Sequence, residues 1–182
     1  DLGLVDGTGL ASNYSLNSTV INITQRVLNS SGSKTYDANT DALDTDIILS
    51  NLVSGESLNH SGTATLSSAN AGSYTISNLT GISIADNAGL ASNYTLTGGT
   101  HNFTVNQKAI RLSGTRLYDA TTDAVACDLT TISGRVGSET LTLSGTGSVT
   151  DANVDPNKTV TVGTLALGCL LYTSPSPRDN GR

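Results

Sequence analysis

The chain has 182 residues, a net charge of −6, six tyrosines, one phenylalanine and neither tryptophan nor methionine. That balance argues against nucleic acid, which demands a clustered basic surface, and no run of about 18 apolar residues is present to cross a bilayer as a helix. Strand formers (Thr, Val, Ile, Tyr) alternate with turn formers (Gly, Asn, Asp), and apolar residues nowhere keep a helical spacing over a long window, so the expected class is all-β.

Residues 1–23 read as the C-terminal part of a repeat. Leu10-Ala11-Ser12-Asn13-Tyr14 returns unchanged as Leu90-Ala91-Ser92-Asn93-Tyr94, and Leu2, Leu4, Asp6 and Gly9 correspond to Ile82, Ile84, Asp86 and Gly89 at the same offset of 80. A complete copy is expected over 24–106. It opens on Ile23 to Leu28 as a first or linking strand. The run Lys34-Thr35-Tyr36-Asp37-Ala38-Asn39-Thr40-Asp41-Ala42 follows. There a short strand brings in Tyr36, and Asp37 and Asn39 close a turn by accepting backbone N–H bonds.

Asp46 to Leu52 reads as a buried strand. Ser61 to Leu66 and Ser73 to Ile76 read as alternating strands, apolar inward and hydroxyl outward, separated by a turn at Asn70-Ala71-Gly72. Ile82-Ser83-Ile84 and Tyr94-Thr95-Leu96 flank the loop Asp86-Asn87-Ala88-Gly89, matched earlier by Asp6-Gly7-Thr8-Gly9, a composition suited to positive φ. The tyrosine motif returns as Thr115-Arg116-Leu117-Tyr118-Asp119-Ala120-Thr121-Thr122-Asp123-Ala124, at an offset of 82, inside a truncated copy over 107–168.

A period near 80 is too long for a solenoid rung, roughly 20–50 residues, and suits tandem copies of a small domain. Many short strands per copy predict a small β-sandwich or β-roll whose strand order stays open. Such a domain has a thin core and gains from contact with its neighbours. Residues 169–182, beginning Cys169-Leu170-Leu171-Tyr172, match neither copy. They read as a translated transposase-type sequencing adapter and are set aside from fold reasoning; a natural Pro-rich linker is the alternative.

The tyrosine motif, the Asn-Tyr-Thr-Leu strand and the Gln107-Lys108-Ala109-Ile110 that follows resemble the YDG-type repeats of large bacterial adhesins of the filamentous-haemagglutinin kind. The resemblance covers residues 1–168 and implies a long secreted protein of a bacterial surface, in which these copies form a stalk or spacer. It also makes Tyr36, Asp37, Tyr118, Asp119, Asn13, Tyr14, Asn93 and Tyr94 residues of a structural motif. The family pattern carries Gly where this chain has Ala38 and Ala120. Positive φ would cost Ala about 1 kcal/mol there, so a turn of negative φ is expected.

No constellation of catalytic residues emerges, and no enzyme activity or cofactor is expected. Asp37-Ala38-Asn39-Thr40-Asp41 and Asp151-Ala152-Asn153-Val154-Asp155 each begin like a calcium loop, but Ala42 or Pro156 replaces the Gly at position 6, and Ile48 or Val162 the Glu at position 12. Turn closure is the better reading, and no metal ligands are assigned. His60 and His101 read as surface or strand-edge histidines. Glu56 and Glu139 read as solvated loop charges, because one acid per domain makes no paired-carboxylate site. Cys127 lacks a partner for a disulfide or a zinc site once Cys169 is set aside.

Asn-Xaa-Ser/Thr sequons occur at Asn13, Asn17, Asn22, Asn29, Asn59, Asn78, Asn93, Asn102 and Asn157. They are either glycosylation acceptors or a by-product of β alternation, which sets Asn and Thr two apart on one face. The expected function is a non-catalytic stalk or spacer in a secreted surface adhesin. Its partners would be neighbouring repeats, with host-cell or matrix glycans or proteins engaged through other regions, and with neither nucleic acid nor membrane insertion. The alternative is a carbohydrate-binding module of an extracellular polysaccharide-active enzyme, for which aromatic platforms are scarce. The ligand-binding residues are unknown.

Overall fold

A computed structural model describes residues 3–15, 17, 20–76 and 79–168. The adapter-like segment 169–182 and the sequon at Asn78 therefore lie outside the described residues. The class is all-β: the described helical residues form only single 3₁₀ turns, at Ala11–Asn13, Asp44–Asp46, Ala91–Asn93 and Ala126–Asp128.

Strands β1 (Arg26–Val27), β2 (Asn29–Thr35), β3 (Asp41–Leu43), β4 (Ile47–Ser50), β5 (Asn59–Thr65), β6 (Gly72–Thr75), β7 (Ile82–Ala85), β8 (Tyr94–Thr95) and β9 (His101–Asn106) make the first unit. A four-stranded sheet of order β4-β2-β9-β6 faces a three-stranded sheet of order β3-β5-β7. Ile47, Phe103 and Val105 from the first sheet meet Ala42, Ala64 and Ile82 from the second, with Leu66 and Ile76 filling in. A second cluster of Leu28, Leu58 and Tyr94 sits where β8 pairs parallel with β1.

The centre of the larger sheet is β2, whose sequence Asn-Ser-Ser-Gly-Ser-Lys-Thr carries no apolar residue. Small side chains are required there. A Cβ on Gly32 would meet the Asp46 carbonyl and the Phe103 ring, so glycine lets β9 lay its aromatic across the strand. β2 runs parallel to β9 over six residue pairs, Ser30 opposite His101 through Thr35 opposite Asn106.

Two expectations from sequence need correction. Only Arg26–Val27 of the segment from Ile23 to Leu28 pairs as strand, and Ile23 is exposed. The strand read as buried, Asp46 to Leu52, is Ile47–Ser50 after a 3₁₀ turn, with Ile47 buried and Ile48 in solvent. It covers one sheet face only, which is the period-2 alternation of a half-buried strand.

From Arg111 onward the pairings recur. Strands β10 (Arg111–Ser113), β11 (Asp123–Val125), β12 (Thr131–Ser133), β13 (Thr142–Ser144), β14 (Thr146–Ser148) and β15 (Ala166–Gly168) pair as β10-β12, β11-β14 and β13-β15. Leu112 opposite Ile132 repeats Ser30 opposite Leu49, and Ala124 opposite Gly147 repeats Ala42 opposite Ala64. Leu143 opposite Leu167 likewise repeats His60 opposite Ile84. These three registers are carried over at an offset of 82 or 83.

Candidate functional site

Each Tyr-Asp motif folds around a cation three residues before its Asp, Lys34 in β2 and Arg116 just after β10. Lys34 Nζ donates to Asp37 Oδ2 (3.2 Å), to the Asn39 carbonyl (2.7 Å) and to the Asp41 carbonyl (2.7 Å). Asp37 Oδ1 accepts the Asn39 N–H and Asn39 Oδ1 accepts the Asp41 N–H, as the turn chemistry predicts. In the second motif Arg116 Nη1 reaches both Asp119 oxygens at 3.0 Å and Thr121 Oγ1 at 2.8 Å. Lys158 does the same for Asp151, with its ammonium on Asp151 Oδ1 at 2.5 Å. In each calcium-like segment the first Asp carboxylate, with one or two backbone carbonyls, thus contacts a side-chain cation.

The carboxylates respond accordingly. The hydrogen bond from Lys34 lowers the Asp37 pKa below its ordinary value. Asp119 is lowered first by bonds from the Thr121 N–H and hydroxyl, and Asp151 first by Lys158.

The turn itself departs from expectation. Ala38 lies at φ 63° and Ala120 at φ 62°, both in the left-handed region. The surrounding bonds over-determine the turn and hold alanine where glycine is the unstrained residue. Asn51 (φ 68°) and Gly134 (φ 89°) form a second such pair at equivalent positions.

Tyrosine and glutamate pair twice, which corrects the reading of Glu56 and Glu139 as solvated loop charges. The Tyr94 hydroxyl donates to Glu56 Oε2 and accepts the Val53 N–H at 3.1 Å. This bond joins the Asn93-Tyr94 segment to the loop before β5 and so lies within the first unit. The Tyr36 hydroxyl donates to Glu139 Oε1, linking the first unit to the second. Both phenols have raised pKa values, chiefly because the bond to the carboxylate favours the neutral hydroxyl.

The four remaining motif residues divide by neighbourhood. Tyr14 and Tyr118 are exposed, at 71 % and 65 %, whereas Tyr94 is buried and Tyr36 half-buried. Asn13 and Asn93 occupy equivalent 3₁₀ turns, their N–H groups donating to the Leu10 and Leu90 carbonyls. Asp6 Oδ1 accepts the Ala11 N–H at 2.6 Å, as Asp86 Oδ1 accepts the Ala91 N–H at 2.7 Å.

Of the sequon asparagines, Asn13, Asn17, Asn22, Asn59, Asn93, Asn102 and Asn157 are exposed. Asn29 is half-buried, with its side-chain oxygen taken by the Thr100 N–H. His101 is not a surface residue: it is buried, with Nδ1 against Ser30 Oγ (3.0 Å) and Nε2 against the Leu96 carbonyl (2.9 Å). Because a carbonyl only accepts, Nε2 is the donor to Leu96. His60 is half-buried, with Nδ1 shielded from solvent.

Among the described residues no group of three or more His, Cys, Asp or Glu is placed to hold a metal ion, and Cys127 is a free, exposed thiol. No described helix is long and apolar enough to cross a membrane. Of the motif residues, Tyr36 reaches the joint between the units, through Glu139. The Tyr36–Glu139 bond lies there beside a cavity of about 610 Å³ lined in part by Asn70, Lys108, Ile110, Leu141 and Leu167.

The YDG domain family model matches twice, over residues 21–102 and over residues 100–169. No curated protein and no solved structure matches the chain at a significant level.

Proposed function

The chain belongs to the YDG-domain family, and on that premise we propose that its units are stalk or spacer modules of a secreted bacterial surface adhesin. They hold a binding region away from the cell and catalyse no reaction. The observation that carries this reading is the parallel pairing of β2 with β9. β2 lies near the start of the first unit and β9 ends it, so tension along the chain pulls these neighbours in opposite directions. Six residue pairs then shear together instead of opening one at a time.

The joint supports the same reading. β9 ends at Asn106 and β10 begins at Arg111, so little slack separates the units. The Tyr36–Glu139 bond ties them side to side. Partners in this role are neighbouring repeats, and the exposed sequons make the array a substrate for glycosylation if its host modifies Asn.

Single-molecule pulling tests the load-bearing role. Stretched through its two ends, the 24–106 unit should resist more force than when it is pulled through β5 and β7, a pair in the other sheet whose loading leaves the β2–β9 ladder out of the force path. Equal forces in the two geometries would remove the mechanical argument. Protease treatment of intact bacteria should release peptides of this segment, and their absence would count against the surface location. Binding of the chain to a glycan array would favour the carbohydrate-binding alternative.

A further inference from the structure

We propose that the loop joining β8 to β9 is a length reserve that loads the first unit's two parallel ladders in turn. Under tension the unit then yields by a short, recoverable step before it unfolds. The inference rests on the load-bearing reading above. β1 and β2 form one nearly continuous track, and β8 and β9 run parallel to it. Between the pair Val27–Thr95 and the pair Ser30–His101 the first track has two residues, Leu28 and Asn29. The second has five over the same distance, Leu96 to Thr100. Three residues are therefore looped out of line.

The loop is folded and held. Gly98 turns it at φ 86°, in the left-handed region that glycine adopts without strain. A Cβ on Gly99 would meet the Leu28 carbonyl and the His101 ring, so glycine also lets the loop lie close against the first track. Across the base, His101 Nε2 donates to the Leu96 carbonyl at 2.9 Å, and the Thr100 N–H donates to Asn29 Oδ1 at 2.9 Å. Drawing the loop straight breaks these two bonds, and neither belongs to the β1–β8 ladder.

The strands on either side of the loop close different cores. β9 supplies Phe103 and Val105 to the larger cluster, and β8 supplies Tyr94 to the smaller. β8 has anchors of its own. The Tyr94 hydroxyl bonds Glu56 and the Val53 N–H, and the Thr95 carbonyl accepts the Leu28 N–H at 2.8 Å. Tension enters the first track at Arg26 and the second at Asn106. From Asn106 it reaches β9 directly, but it reaches β8 only through the loop. β8 is therefore pulled only after β9 has left its register on β2 and the loop is straight. Three residues at about 3.6 Å each make that reserve about 1 nm. With the smaller cluster still closed, β9 stays beside the strand it left and pairs again when the tension drops.

Force spectroscopy on the 182-residue chain, held through handles at the exposed Thr24 and Gln107, provides the test. The trace should show a step of about 1 nm, the length of three residues, ahead of the main rupture. Lowering the force should reverse that step without refolding of the whole unit. Two glycines inserted after Gly98, in an exposed loop where added length is tolerated, should lengthen the step by about 0.7 nm. Deleting Thr97, Gly98 and Gly99 should abolish the step and raise the main rupture force, because both ladders then load together. Tyr94→Phe should leave the step in place and shorten the lifetime of the state that follows it. A single rupture in the wild type, a step that survives the deletion, or a step length indifferent to the insertion would overturn the proposal. The load-bearing reading fails separately, through a main rupture force no higher than for pulling through β5 and β7.

Discussion

The units 24–106 and 107–168 share their strand pairings, their Tyr-Asp turns and their cation-filled loops, yet they differ sharply in burial. Among the described residues eleven of the thirteen buried apolar side chains belong to the first unit, and only Ala124 and Leu129 to the second. Register is thus a local property, set by turn chemistry and pleat alternation, and both copies have it. Burial is a non-local property that depends on the closing strands. β8 and β9 bring Tyr94, Phe103 and Val105 into the first unit, and the described part of the second has no counterpart to them.

The sharpest way to break this comparison is to remove the closing side chain. Phe103 is 1 % exposed and lies across Gly32. Phe103→Ala should destabilise the first unit by about 3–5 kcal/mol, from lost transfer energy and the cavity left behind. That is a large share of the roughly 5–15 kcal/mol typical of a whole domain. Chemical denaturation should then show the first unit losing its cooperative transition. A midpoint that barely moves would mean β9 is not what distinguishes the units.

A smaller effect is expected at the buried histidine. Ser30→Ala removes the hydroxyl that meets His101 Nδ1 and leaves a buried ring nitrogen without its partner. The expected loss is about 1–3 kcal/mol. At the equivalent position of the second unit Leu112 stands in place of Ser30, and no histidine faces it. Leu112→Ala should therefore leave no such unpaired group, and comparing the two denaturation midpoints separates the polar contribution from simple loss of volume.

The pattern of what could be read from sequence follows the same division. The Asp37 and Asn39 turn bonds and the alternating strands after Ser61 depend on near neighbours, and their residue types announce them. The loops at 6–9 and 86–89, read as suited to positive φ, hold none and are closed by Asp6 and Asp86 accepting the Ala11 and Ala91 N–H groups. β2 does not announce itself. Its Ser and Gly residues carry no apolar alternation, and the reason for their small size, the Phe103 ring, lies some 70 positions further along. The Tyr94–Glu56 and Tyr36–Glu139 pairs were hidden likewise: Glu56 and Glu139 recur at similar places in the two copies, but only folding brings a tyrosine to each. The positive φ of Ala38 and Ala120 is not legible in sequence, because alanine's own preference opposes it and only the bonds of the folded turn hold it.

That turn offers a smaller and sharper comparison. Relieving positive φ is worth about 1 kcal/mol, part of which glycine returns through the greater freedom of the unfolded chain. Ala38→Gly should raise the denaturation midpoint of the first unit slightly. Ala120→Gly should act on the second unit alone. Identical shifts of one shared transition would show instead that the two units unfold as a single cooperative body.

The smallest expected effect concerns the joint, because the Tyr36–Glu139 bond is partly solvated. The folded pKa of Tyr36 is raised above its ordinary value of 10.0, first by the bond to Glu139 and then by burial. A phenol held in its neutral form contributes fully below that ordinary value, and the contribution fades as pH climbs through the raised folded value. Coupling between the units should therefore be constant through neutral pH and weaken only on the alkaline side. Tyr36→Phe should remove that alkaline loss from the second unit's midpoint while leaving the first unit's own alkaline response, which runs through Tyr94 and Glu56. Should Tyr36→Phe and the wild type lose coupling at the same pH, the joint is held by something other than this bond.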